Sequence, residues 1–146
     1  MPSSSSRKHP RILFVTPEVF PLCKTGGLGD VSAALPAALH ELKVDIRLLL
    51  SGYPAVLAGL KSRRSVAKFD LQPHFPPATL LSARLQMNES ANVPVYVIHC
   101  PELYQREGGI YLDNDGYDWP DNARRFGLLS KIGAPLTSDA SPIAWM

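Results

Sequence analysis

The stretch from Arg11 to Leu50 confines this chain to a narrow set of folds. RILFVT, residues 11 to 16, is a nearly continuous apolar run, the composition of a parallel strand buried on both faces. Pro17 closes it, and the glycine-rich segment LCKTGGLGDV, residues 22 to 31, follows. From there apolar residues recur at Val31, Ala34, Leu35, Ala38, Leu39 and Leu42, the spacing of one helical face. Pro36 lies inside that stripe, removes one backbone hydrogen bond and is expected to kink the helix. DIRLLL, residues 45 to 50, is a second buried strand, closed by Ser51-Gly52-Tyr53-Pro54. Strand, glycine loop, helix and strand in that order make a right-handed βαβ unit. The fold class is α/β, a Rossmann-like parallel sheet with flanking helices, and Leu35, Leu39 and Leu42 are expected to pack on the sheet.

The remainder is less regular. Residues 66–71, 79–87 and 93–99 have strand patterns, the first two separated by the turn Pro73-His74-Phe75-Pro76-Pro77. GGIYLDNDG, residues 108 to 116, is a loop. A helix is expected to start near Trp119-Pro120-Asp121-Asn122, with Asp118 as its cap, and to turn Ala123, Phe126, Leu129 and Ile132 inward. After Pro135 the pattern dissolves. The polar segment MPSSSSRKHP, residues 1 to 10, is expected to be a disordered tail.

With 146 residues, 45% of them hydrophobic, the chain can bury one core. Its net charge is +2, and the one dense basic run, Lys61-Ser62-Arg63-Arg64, lacks interleaved aromatics. That run is a solvated loop, so no nucleic-acid partner is expected. Its two cysteines, Cys23 and Cys100, lack metal-ligand spacing, and neither a metal nor a cofactor is expected. Lys24 would lower the pKa of Cys23, although no histidine accompanies it to make a nucleophile. The longest apolar runs are strand-sized, so no membrane partner is expected and the cytoplasm is the expected location.

A glycine loop between strand and helix gathers backbone N–H groups and the positive end of the helix dipole at one place. Gly26, Gly27 and Gly29 give that backbone conformational freedom and allow close approach. Lys24 adds a full positive charge at the rim. The combination suits a diphosphate. The spacing is G-G-x-G rather than G-x-G-x-x-G, and no Walker lysine follows, so the residues alone leave open a phosphate site or a tight turn with a surface lysine.

PEVFPLCKTGGLGDVSAALPAAL followed by RLLLSGYP closely resembles the opening of bacterial glycogen synthases and plant starch synthases. The similarity continues through PELYQREGGIYLD and WPDNARRFGLLSKIGA. It implies a retaining two-domain GT-B glycosyltransferase that moves glucose from ADP-glucose to the non-reducing end of an α-1,4-glucan, without a metal at its centre. It also implies that Lys24 contacts the donor phosphates, that Gly26 and Gly27 bring backbone close to the sugar nucleotide, and that Tyr111 lines the cleft. Asp30 falls on the same motif, either as a donor-site residue or as a first-turn acid favoured by the dipole. Glu18 also matches and is taken as a structural loop carboxylate.

Where the family often carries Gly-His, this chain has Leu42-Lys43, and His99 stands at a commonly acidic position. The family's H-x-D-W-H segment and its second domain are not in the sequence. Residues 11 to 146 are therefore expected to be part of an N-terminal catalytic domain, inactive alone, with a plastid location if the source is a plant. The alternative is a non-catalytic half-domain that binds a nucleotide sugar or a glucan.

Overall fold

The computed structural model describes residues 10–138. The elements run β1 (Arg11–Val15), α1 (Gly27–Glu41), β2 (Asp45–Ser51), α2 (Pro54–Gly59), β3 (Arg64–Phe69), β4 (Ala78–Gln86), β5 (Asn92–His99), α3 (Pro101–Tyr104) and α4 (Asn122–Leu136). They form one five-stranded sheet in the order β1-β2-β5-β4-β3. β1 pairs parallel to β2 and β2 parallel to β5, while β4 runs antiparallel to both β5 and β3. The sheet is therefore mixed, parallel where the glycine loop attaches and antiparallel across the part with weaker sequence signals. The expected tail and the end of the chain fall largely outside the described residues.

β2 and β5 are the centre. Leu48, Leu49, Leu50, Val93, Val95, Val97 and Ile98 are almost fully buried, as near-continuous apolar runs covered on both faces should be. α1 packs over β2 and β5, and α4 packs against β1 and β2. α4 starts at Asn122 and buries Arg125, Leu128, Leu129, Ile132, Gly133 and Leu136. Phe126 is half-buried and Ala123 is exposed, so that face is rotated from the expected one.

α1 departs further from its pattern. Leu35 and Leu42 are 44% and 67% exposed, and Val31 is 54% exposed, while Leu39 is half-buried. The helix instead buries Gly29, Ser32, Pro36 and Ala37. These small residues repeat at the same helical spacing as the leucines, and they let the helix axis come closer to the sheet than a leucine face would. The leucine stripe is left on the flank of α1. Met87, which follows β4, borders a groove on the opposite flank with Ala34, Ala38 and Glu41. The leucines therefore lie on the flank away from that groove.

α1 ends in a Schellman motif. The Lys43 N–H donates to His40 O and the Val44 N–H donates to Leu39 O. Lys43 takes φ 66° there, the left-handed conformation for which glycine is the usual residue.

Two outcomes test this arrangement in urea unfolding of the whole chain. Lys43→Gly is expected to stabilise it by about 0.5–1 kcal/mol, since glycine carries no left-handed penalty. Leu48→Ala should cost about 2–5 kcal/mol and Leu42→Ala less than about 0.5 kcal/mol. Equal costs for the two leucines would contradict the orientation of α1.

Candidate functional site

Parallel pairing puts the carboxyl ends of β1, β2 and β5 at one end of the sheet, where α/β proteins place their ligands. The loop from Thr16 to Gly26 leaves β1 there. Thr16 Oγ1 lies 2.9 Å from Ser32 Oγ, tying the start of the loop to α1. Val19 and Cys23 pair as an antiparallel bridge, and the Phe20 N–H donates to Gly29 O at 3.0 Å. The loop is thus folded back onto the first turn of the helix. A Cβ on Gly29 would sit 2.7 Å from Lys24 Cβ, so this glycine is required for the lysine to cross the helix start.

Gly26 and Gly27 are different. Gly26 has φ −160°, extended backbone open to any residue, and a Cβ on either glycine would meet nothing within 4 Å. Conformational freedom is therefore not what these two positions supply. They leave open space over the amino terminus of α1, whose cap residue Gly26 offers no side-chain hydrogen bond. The first-turn amides of this 15-residue helix thus have no side-chain acceptor from the cap residue. Lys24 Nζ stands at the rim, 2.6 Å from Asp30 Oδ2, with both side chains partly exposed. Asp30 therefore acts first on the lysine, holding its ammonium beside the helix start.

Glu18 organises what surrounds the loop. Its side chain is almost fully buried, with the residue 2% exposed. Oε1 accepts hydrogen bonds from Tyr111 OH at 2.6 Å and Thr25 Oγ1 at 2.7 Å, and Oε2 accepts from the Thr25 N–H at 3.1 Å. Burial alone would raise its pKa. The hydrogen bonds from Tyr111 and from Thr25 and Gly26 outweigh that and hold it below the ordinary carboxylate value. Tyr111 moves the other way: burial, then the Glu18 hydrogen bond and charge, push its phenol up, so it stays a donor.

Tyr111 reaches Glu18 because its own loop is held from below. Its ring stacks on Phe126 with centroids 5.4 Å apart, and Asn122 Nδ2 donates to Tyr111 O at 3.0 Å. Arg125, 1% exposed, donates from Nη1 to Ile110 O at 2.7 Å and from Nε to Leu103 O at 2.9 Å. No carboxylate lies at ion-pair distance from it among the described residues. Its guanidinium sits instead against the rings of Trp119, Tyr53 and Phe126, at 5.3, 5.6 and 5.9 Å. Burial lowers its pKa, and aromatic faces plus carbonyls replace the missing anion. Gly108, at φ +135°, is required by Trp119, whose Cζ2 would lie 2.8 Å from a Cβ there.

Of the five residues expected at the site, Lys24 and Gly26 fall on the glycine loop, Gly27 and Asp30 on the first turn of α1, and Tyr111 on a second loop that Glu18 joins to the first. Sequence reasoning treated Glu18 as a loop carboxylate and passed over Arg125 and Asn122. The arginine gives no sequence signal of burial, since arginines rarely enter cores. Cys23 is corrected: burial raises its thiol pKa despite Lys24, and its Sγ faces Pro17 O at 3.6 Å. Among the described residues no three His, Cys, Asp or Glu side chains gather as a metal-ligand set. No helix among them is long and apolar enough to cross a membrane.

The family model described as the starch synthase catalytic domain matches residues 11–142. The chain belongs to the starch synthase catalytic-domain family. It is 82% identical over 146 residues to the glycogen synthase of Nitrosomonas eutropha, covering all of this chain and 29% of that protein. It is 75% identical to the glycogen synthase of Nitrosomonas europaea, again over its whole length and 30% of the relative. The chain thus spans less than a third of the length of these relatives. Among solved structures, the catalytic domain of starch synthase IV from Arabidopsis thaliana, bound to ADP and acarbose, superposes with a TM-score of 0.65. That match covers 88% of this chain and 24% of the other at 22% identity, and it shows a shared fold.

The two kinds of glycine separate by substitution. Gly29→Ala is expected to lose about 1–3 kcal/mol, as overpacking against Lys24, while Gly27→Ala stays within about 1 kcal/mol of the parent. Thermal unfolding of both variants checks this. Acid unfolding tests the Glu18 network. A carboxylate whose folded pKa lies below its unfolded value adds stability above the unfolded value and loses it as pH falls through the folded one. Between pH 7 and pH 3 the unfolding temperature should therefore drop more steeply for the parent than for Glu18→Gln.

Proposed function

We propose that this chain supplies the front of a glucan synthase that transfers glucose from ADP-glucose to the non-reducing end of an α-1,4-glucan with retention. One observation carries the reading. The uncapped start of α1, with open space over Gly26 and Gly27 and Lys24 at its rim, supports a diphosphate site there. Membership of the starch synthase family and the ADP-bound relative of the same fold support the choice of donor.

In this mechanism the first-turn amides and Lys24 stabilise negative charge on the diphosphate as the glycosidic bond breaks. Asp30 orients the ammonium through the 2.6 Å contact. Tyr111, held protonated by Glu18, closes the sugar side of the site. Charge stabilisation from one wall of a cleft is incomplete, so the groups facing it belong to the remaining length of the relatives. The chain alone would then bind the nucleotide sugar without turnover, a reading favoured by its 29% share of the relative's length. The cytoplasm is the proposed location.

The test exchanges this chain for the matching 146 residues of the Nitrosomonas eutropha enzyme. In that chimera Lys24→Ala should lower kcat/KM for ADP-glucose about ten- to a hundred-fold, the value of one charge-assisted contact at about 1.5–3 kcal/mol. Lys24→Arg should recover part of the loss, and the unfolding temperature should barely move. A Lys24→Ala chimera within twofold of its parent contradicts the phosphate contact. Glucose incorporation into glycogen by the 146-residue chain alone contradicts the division of labour.

A further inference from the structure

We propose that Glu18 is a positioning residue that locks the glycine loop and the Tyr111 loop into one unit. The claim that this unit presents Lys24 and Tyr111 to a donor rests on the function proposed above. Three observations carry the lock. First, the carboxylate is placed by its own backbone. Thr16 Oγ1 donates to Glu18 O at 2.9 Å, and the Glu18 N–H donates to Thr16 Oγ1 at 3.3 Å. That hydroxyl also meets Ser32 Oγ, so Glu18 is fixed relative to α1 before its side chain bonds anything.

Second, its partners come from both loops. Thr25 gives a hydroxyl and a backbone N–H from the residue before Gly26, and Tyr111 gives its phenol from 93 residues along the chain. Among the described hydrogen bonds, no other side chain connects these two loops directly. Third, the carboxylate leaves almost no room to move. Glu18 is 2% exposed, and its Oε2 would lie 3.4 Å from a Cβ on Gly29. A buried ionised acid is tolerated only while its donors stay in place, so loss of either loop's donor is felt by the other.

The lock also sorts the backbone donors. Glu18 occupies the Thr25 N–H and draws on the Gly26 N–H as well, so the donors left to the start of α1 begin at Gly27. A local structural acid would hold Thr25 alone. A lock makes Tyr111 and Thr25 sense each other only through Glu18.

Amide hydrogen exchange and chemical shifts of the whole isotope-labelled chain, with ADP-glucose as the added probe, test this. Glu18→Gln is expected to speed exchange at Thr25 at least tenfold while Leu48 and Val97 stay within twofold. Tyr111→Phe keeps the ring on Phe126 and removes one hydroxyl, so it carries the test if a Glu18 variant does not fold. It should shift the Thr25 amide resonance in the parent and leave it unmoved in a Glu18→Gln background. The ADP-glucose Kd should rise at least fivefold in Glu18→Gln at temperatures where the core amides stay protected. Unchanged Thr25 exchange in Glu18→Gln, a Thr25 amide resonance that Tyr111→Phe alone leaves in place, or a Tyr111→Phe effect on Thr25 that persists without Glu18, overturns the lock. A parent chain with the coupling intact that binds no ADP-glucose contradicts the donor reading and upholds the lock.

Discussion

Parallel pairing of β1 with β2 and of β2 with β5 is the constraint from which the rest follows. Parallel neighbours require the chain to return to the same end before each new strand, so the exits of β1, β2 and β5 lie on one side. The Thr16–Gly26 loop, the Ser51–Tyr53 turn and the long segment after β5 are thereby gathered without any contact having to draw them together. The Gly52 N–H donates to Ile98 O, and Gln105 Nε2 donates to Gly52 O, which stitches two of those exits together. Side-chain chemistry then needs to act over only a few ångströms, and Glu18 closes that last distance.

The same pairing leaves a cost at the sheet edge. β1 reads RILFV, apolar on both faces as an interior strand would be, yet it pairs on one side only among the described residues. Val31, Leu35 and Leu42 stand exposed on α1. An open strand edge and an apolar stripe each favour association with further polypeptide. Close-packed small residues underneath α1 explain how the helix stays seated without those leucines.

Much of this was written in the sequence, but unevenly. Strand composition placed β1, β2, β4 and β5 within a few residues, because apolar runs of that length have few alternatives. The glycine loop was visible as three glycines and a lysine between a strand and a helix, while those residues alone left its use open between a phosphate site and a tight turn. The face of α1 was misjudged because two stripes share one period, leucines on one and Gly29, Ser32, Pro36 and Ala37 on the other. Hydrophobicity favours the first, while distance of approach selected the second. The antiparallel half of the sheet was missed since strand direction leaves no mark in a short apolar run. Glu18 was read as a structural loop carboxylate and Arg125 went unnoticed, as their partners lie 93 and 15 residues away.

The central claim is that the open amino terminus of α1 takes the diphosphate of a sugar nucleotide. Amide chemical shifts of the whole chain, followed during titration with ADP-glucose and with glucose alone, test it most directly. The account predicts saturable movement of Gly26, Gly27 and Leu28 together with Tyr111, present with ADP-glucose and absent with glucose. Movement confined to residues remote from that helix start, or none at all at millimolar ADP-glucose, would contradict it.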